Sequence, residues 1–425
     1  MKLVASEPLS RLAALHCSAC STKYSAFDLQ RVSTCCNLPL VADYDLHEPL
    51  SRDVINQADT SMWRYGALLP LLHDENKVTL GEGMTPMLNL PRLAARHELS
   101  SLLLKDEGQN PTGSFKARGL SMAVSKAKEL GVDGCIIPTA GNAGVAMAAY
   151  CARAGLKAVV VMPRHTPQAF KEECYWYGAE VELVDGLISD CGARVRQRNA
   201  NGALLDISTL KEPYRLEGKK TMGYEIAEQL NWQLPDVLLY PAGGGTGLIG
   251  IWKAFQEMKA LGWLAPETQL PRMVAVQAKN CCPLLETYSG RQPNCHSYQG
   301  SATLANGLAV PHPLGEAMML RVLRESHGTV VSVSEEDMLA GMRDLGQQEG
   351  LFVAPEGAAV WMATRQLLAT GWIHRDEKIL LLNTGSGQKY METWPAALCG
   401  KEPATRTFVL PSGAEASLPG GKPFW

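Results

Sequence analysis

The stretch Asp106–Gly119, DEGQNPTGSFKARG, carries a lysine, Lys116, at the point where a turn gives way to an apolar-periodic helix. Before it, SLLLKDE has the unbroken apolar run of a buried strand, and Asn110-Pro111-Thr112-Gly113 is turn chemistry. After it, Leu120, Ala123, Val124, Ala127 and Leu130 recur at helical spacing until Gly131 closes the helix. Thr112 or Ser114 is placed to cap that helix, which puts Lys116 in its first turn, at the positive end of the dipole. A cation is mildly disfavoured there. Most lysines are solvated surface groups, but an amine disfavoured as ammonium is the better nucleophile, and that is what a Schiff-base lysine requires.

Outward from this stretch the chain alternates short apolar strands with helices. GCIIPT, KAVVVMP and VELV read as strands, with helices through VAMAAYCARAG, from Gln168 to Tyr177 and near Ala193. Further strands follow at Asp236 to Tyr240, Met273 to Val276 and Ile379 to Leu382. This alternation means parallel sheet covered on both faces. The expected fold is α/β, with two doubly wound open parallel-sheet domains, a cleft between them, and a small N-terminal cysteine-knuckle segment. Its expected divisions are residues 1–60 for the knuckle, 61–119 and 221–400 for a large domain, 120–220 for a small one, and 401–425 for a surface tail.

Three other motifs fall at the carboxyl ends of strands, where ligands sit in open α/β sheets. PAGGGTGLIGIWKAF, Pro241 to Phe255, places successive glycines between a strand and a helix, so that backbone N–H groups and the helix dipole can cradle a phosphate. Gly245-x-Gly247-x-x-Gly250 also satisfies the dinucleotide fingerprint, but the following strand ends in Gln277 and Lys279 rather than an acidic residue, and no Gly-Lys-Ser/Thr occurs. A small monophosphorylated cofactor remains. Asn142, in PTAGNAG, is either an ordinary helix cap or an amide facing the same crevice, and Thr384, in NTGSG, offers a hydroxyl there.

Cys17-x2-Cys20 with Cys35 and Cys36 has the look of a zinc knuckle. The adjacency of the second pair resists convergence on one ion; His16 could substitute, and a degenerate knuckle packed on the main body is the other reading. The remaining cysteines are scattered and make no disulfide framework. With 425 residues, 46% hydrophobic, 20% charged and a net charge of −3, the composition argues against a nucleic-acid scaffold or electrostatic membrane binding. No apolar run reaches membrane-spanning length and the start is too polar for a secretory signal, so a cytoplasmic protein is expected.

Taken in order, GEGMTP, KDEGQNPTGSFKARG, TAGNAG, YPAGGGTGLIGIWKAF and NTGSGQKY resemble the pyridoxal-phosphate enzymes of the tryptophan-synthase-β-like fold (fold type II), and within them the threonine synthase group. The resemblance implies Lys116 as the Schiff-base lysine and pyridoxal 5'-phosphate as cofactor. It puts Phe115 beside the ring, Asn142 on the ring hydroxyl, Gly243, Gly244, Gly245, Thr246 and Gly247 around the phosphate, and Thr384 at the ring nitrogen. Ser114, Thr139 and Arg215 fall on the substrate side, Arg215 as the phosphate-binding arginine unless it is a surface ion pair with Glu212 or Glu217. The implied reaction is O-phospho-L-homoserine plus water to L-threonine and phosphate, in a homodimer. The alternatives are β-elimination or β-replacement on serine, threonine or O-phosphoserine, as in ammonia-lyases and cysteate synthase, and, from another class, a silent regulator binding partners through the knuckle. This chain departs from the group at Ser208-Thr209-Leu210, where Asn-Ser is common, at Ala143, where Thr is common, and at Ala117, where Asp is common, with Lys211 as a candidate compensation.

Overall fold

The computed structural model describes residues 10–46, 50–186 and 188–393; the tail expected over 401–425 lies outside the described residues. Strands β1 (Leu12–Cys17), β2 (Lys23–Tyr24) and β3 (Leu40–Tyr44) form a small antiparallel sheet, in the order β2-β1-β3. Its core is a handful of side chains, Leu12, Leu15, Ala26, Leu40 and Ala42. So small a core needs outside support. Part of that support comes from the Tyr44 hydroxyl, which donates to Glu217 Oε2 at 2.8 Å, and from Arg321, which donates to the Ser18 carbonyl at 3.1 Å.

The body contains two larger sheets. Strands β4 (Met87–Asn89), β5 (Ser101–Asp106), β10 (Val237–Pro241), β11 (Arg272–Ala278), β12 (Thr329–Val333) and β13 (Lys378–Asn383) make a six-stranded sheet in the order β12-β11-β10-β13-β5-β4. Strands β6 (Gly134–Pro138), β7 (Lys157–Pro163), β8 (Glu180–Val184) and β9 (Leu205–Asp206) make a four-stranded one, β8-β7-β6-β9. Every pairing in both is parallel except β4 with β5, so the large sheet carries one antiparallel edge strand that the alternation of strands and helices does not announce.

Side-chain alternation shows why the strands are apolar throughout. Leu238, Tyr240, Met273, Ala275 and Leu380 join one core layer, while Val237, Leu239, Val274, Val276 and Ile379 join the layer on the opposite face. In the small sheet Cys135, Ile137 and Val160 face one way and Ile136, Val159 and Val161 the other. Helices cover both faces, as a doubly wound fold requires. The helices that matter for the site are Lys116–Glu129, Asn142–Ala154, Tyr214–Gln229, Thr246–Ala260 and Pro355–Ala369.

Candidate active site

At the carboxyl ends of β6, β9, β10 and β13 lies a cavity of about 160 Å3, between the two sheets. Phe115, Lys116, Thr139, Asn142, Gly243, Gly244, Gly245, Thr246, Arg215 and Thr384 all line it, so residues far apart in the chain converge there. Ser114 and Gly247 do not line it. Ser114 is fully buried behind it with an unpartnered hydroxyl, and Gly247 leaves room for Tyr240, since a Cβ at Gly247 would stand 1.9 Å from the Tyr240 hydroxyl.

Backbone lacing fixes Lys116. The Phe115 N–H donates to the Thr384 carbonyl at 3.1 Å, and the Ser386 N–H donates to the Gly113 carbonyl at 2.9 Å, so the loop after β13 holds the turn that precedes the lysine. Neither Thr112 nor Ser114 caps the Lys116 helix: Phe115 occupies the N-cap position and makes no side-chain cap bond, while Thr112 sits at φ 62° in the turn. The amine lies 3.9 Å from the centre of the Phe115 ring. Loss of water around it, then the Arg215 charge, pull its pKa from 10.5 down to about 7, against the opposing pull of Glu356. That depression raises the share of neutral amine, the form a nucleophile or base needs.

The glycine-rich turn is shaped by close approach. A Cβ at Gly243 would stand 2.2 Å from the Gly307 carbonyl oxygen, and Gly245 sits at φ 76°, so neither position accepts a side chain without displacement. The Thr246–Ala260 helix begins at the cavity, which Gly245 and Thr246 line, and the first N–H groups of a helix have no partner within it. Asn142 opens its own helix, but Gly141 holds the cap position and the Asn142 Oδ1 is buried with no partner. That orphaned amide is free for a ligand.

Arg215 is not a surface ion pair. It is 1% exposed, its Nη1 donates to the Ile207 carbonyl at 2.6 Å, and its Nε is unpartnered. Glu212 instead accepts the backbone N–H groups of Tyr214 and Arg215, and Glu217 pairs with Lys220 and Lys253. Lys211 is tied to Asp206 at 3.1 Å and does not line the cavity, whereas Thr209 and Ala143 do. Ala117 is fully buried among Trp63, Leu120 and Met122, where a carboxylate would need a partner of its own.

Several lining residues escaped the sequence reading. Glu356 sits in the first turn of a largely apolar helix, its Oε1 accepting from the Gly307 N–H and from the Tyr390 hydroxyl, each at 2.7 Å. Burial pushes its carboxyl above the usual range. An acidic residue in so apolar a helix was the available signal. Tyr240, edge-on to Phe115 at 6.0 Å, and the segment Asn306 to Val310 had none.

Residues 78–385 match the family described as pyridoxal-phosphate dependent enzyme. A threonine synthase of Methanosarcina acetivorans is 34% identical over 374 residues, 87% of this chain and 91% of that one. The chain belongs to the threonine synthase family of pyridoxal-phosphate-dependent enzymes. A second family member, the threonine synthase of Halalkalibacterium halodurans, is 33% identical over 364 residues, 84% of this chain and 97% of that one. Among solved structures, diaminopropionate ammonia lyase from Escherichia coli superposes with a TM-score of 0.64 at 18% identity, over 83% of this chain and 94% of that one, which is a likeness of fold. A serine racemase from maize gives 0.62 at 21%, over 73% and 91%, again a likeness of fold.

In the knuckle, Cys17, Cys20, Cys35 and Cys36 bring their sulfurs within 4.8 Å of one another despite the adjacent pair. His16 is not among them; its Nδ1 lies 2.8 Å from Asp43. A zinc ion with sulfurs at about 2.3 Å has tetrahedral edges of roughly 3.8 Å, so the cluster is the right size. Hydrogen bonding with Ser33 brings the Cys17 thiol down to about 6, while the crowd of thiols, Cys20 first, pushes Cys36 up to about 12. A cation among them would let all four ionise. Among the described residues no helix is long and apolar enough to cross a membrane.

Proposed function

We propose that this chain converts O-phospho-L-homoserine and water to L-threonine and phosphate, with Lys116 as its anchor and base. The observation that carries the reading is Arg215, a guanidinium sealed in the wall of the Lys116 cavity with an unpartnered Nε. An enzyme acting on a substrate without a second anion has no use for so costly a group. The residues also fit pyridoxal 5'-phosphate: the orphaned Asn142 amide, the cradle at Gly243 to Thr246 and the depressed Lys116 amine each match a part of it. When bound, that group serves as an electron sink for charge developing beside the substrate amine.

The chain's own residues do the rest. Once the substrate amine is in place, Lys116 would take the α-proton on Nζ and return it as the reaction proceeds. Arg215 holds the substrate phosphate while the Cγ–O bond breaks, and the phosphate leaves with that bond's electron pair. With the phosphate a β-proton is also lost, which leaves a β,γ-double bond; a proton then adds at the γ-carbon to make the methyl group, and water adds its hydroxyl at the β-carbon, its remaining proton going to the released phosphate. Thr384 would present a hydroxyl rather than a carboxylate to the ring nitrogen, and Thr139 would support the substrate side, while Ser114 does not line the cavity. In this reading the four knuckle thiolates hold a structural zinc, and the enzyme is a cytoplasmic homodimer with the domain limits expected from sequence.

A second reading, β-elimination or β-replacement on serine, threonine or O-phosphoserine, is favoured by Ala143, which offers the substrate anion no hydrogen bond from the cavity wall. Incubation of purified protein with O-phospho-L-homoserine, following phosphate and threonine together, separates the two. Equimolar release supports the first reading. Bound cofactor with neither product overturns it, and turnover of serine or O-phosphoserine would establish the second.

A further inference from the structure

Lys219 and Lys220 are consecutive, both wholly buried, and treated in opposite ways. Lys220 is neutralised by Glu217 at 2.7 Å and Glu257 at 3.0 Å. Lys219 has no carboxylate partner among the described residues; its Nζ donates to the Thr246 Oγ1 at 3.0 Å, and the Phe115 ring stands 5.2 Å away. Close helix packing sets its position. A Cβ at Gly119 would lie 2.7 Å from the Arg215 carbonyl oxygen and 3.0 Å from Lys219 Cε, and one at Gly218 would lie 2.2 Å from the Arg118 carbonyl oxygen. These two glycines let the Lys116 and Tyr214 helices touch, which seats the lysine beneath the start of the Thr246 helix. A buried cation without countercharge is expensive, and the cavity that Thr246 lines is the place beside it where an anion can sit.

We propose that Lys219 is a positioning residue for the phosphate end of the cofactor, engaging the Thr246 hydroxyl as acceptor so that the Thr246 O–H is left to donate into the cavity. Burial, followed by the Arg215 and Lys116 charges, holds the Lys219 amine well below its ordinary value, and a phosphate dianion at the helix N-terminus restores its charge. Lys219 itself does not line the cavity, so it acts through Thr246.

The inference rests on the pyridoxal-phosphate reading, and the test keeps the two apart. Holoenzyme is resolved of cofactor and titrated with pyridoxal 5'-phosphate or with pyridoxal, which lacks the phosphate. Wild-type protein should prefer the phosphorylated compound; equal binding, or none, overturns the cofactor reading as well as this one. Lys219→Met should weaken pyridoxal 5'-phosphate roughly 10- to 100-fold, the size of a charged hydrogen bond, and leave pyridoxal unchanged. Thr246→Val should lose as much, and the double variant little more than either single one. An unchanged affinity, an equal loss for both compounds, or additive losses in the double variant would overturn the proposal. Should Lys219→Met fail to fold, Lys219→Gln, with an amide donor and no charge, is judged by the same selectivity.

Discussion

Replacing Arg215 by methionine keeps most of its apolar stem and removes the guanidinium. In the folded protein its Nη1 is committed to the Ile207 carbonyl, while the Nε and the charge remain for a ligand. One or two charge-assisted hydrogen bonds to phosphate are worth about 2–4 kcal/mol, so kcat/KM for O-phospho-L-homoserine should fall roughly 30- to 1000-fold. L-vinylglycine, the same carbon skeleton without phosphate, should be converted to threonine with a loss under about 10-fold, since no anion is at stake. A second readout follows from charge. Arg215 helps to depress Lys116, so without it the Lys116 pKa rises, and capture of pyridoxal 5'-phosphate by cofactor-free protein should reach its midpoint at a higher pH than in wild type. Stability should change modestly, because the stranded Ile207 carbonyl costs about 1–3 kcal/mol while the repulsion with Lys116 and Lys219 is relieved. Equal losses on the phosphorylated and unphosphorylated substrates would refute the assignment.

In wild-type protein the same capture rate should rise with pH through a midpoint near 7 rather than 10.5, because attack on an aldehyde needs the neutral amine; stopped-flow absorbance checks it. Gly243→Ala drives a methyl into the Gly307 carbonyl at 2.2 Å, which should cost roughly 1–3 kcal/mol of stability and weaken cofactor affinity, read by thermal melts with and without cofactor. Metal analysis should find one zinc per chain, and Cys20→Ser, or prolonged chelation, should release it and lower the melting temperature.

The legible parts of this chain were those where local pattern and tertiary role agree. The apolar runs of β5, β6, β7 and β10 are buried on both faces, and so read as strands without ambiguity. The glycine-rich turn and the Ser-Phe-Lys triplet are equally local. The helix Tyr214–Gln229 was not legible, although it carries Arg215. It is buried from Tyr214 through Ala227 yet contains lysines, glutamates and an arginine, so it shows no apolar stripe and imitates a solvated surface. Its core role depends on partners more than 30 residues away, such as Glu257 for Lys220, which no window on the sequence contains. The convergence of Cys35 and Cys36 on Cys20 is likewise a property of chain path, with β1 and β3 setting the two cysteine pairs side by side.

That same helix gives a physical account of where ligands belong. Glu225 is met by Arg118 and Lys105, Glu217 by Lys220 and Lys253, and the Tyr44 hydroxyl adds a donor to Glu217 from the knuckle. Each of these charges is buried and each is answered within the protein. Arg215 and Lys219, one helical turn apart, lack such an answer: the nearest carboxyl influence, Glu212, spends one oxygen on backbone N–H groups and is itself pushed up by burial. Since burial penalises every unpaired ion alike, a fold that balances one end of a helix and leaves the other positive is incomplete without anions. Two cations beside one cavity, one behind the glycine-rich turn and one in the wall it shares with Lys116, are what a phosphorylated cofactor and a phosphorylated substrate would together require.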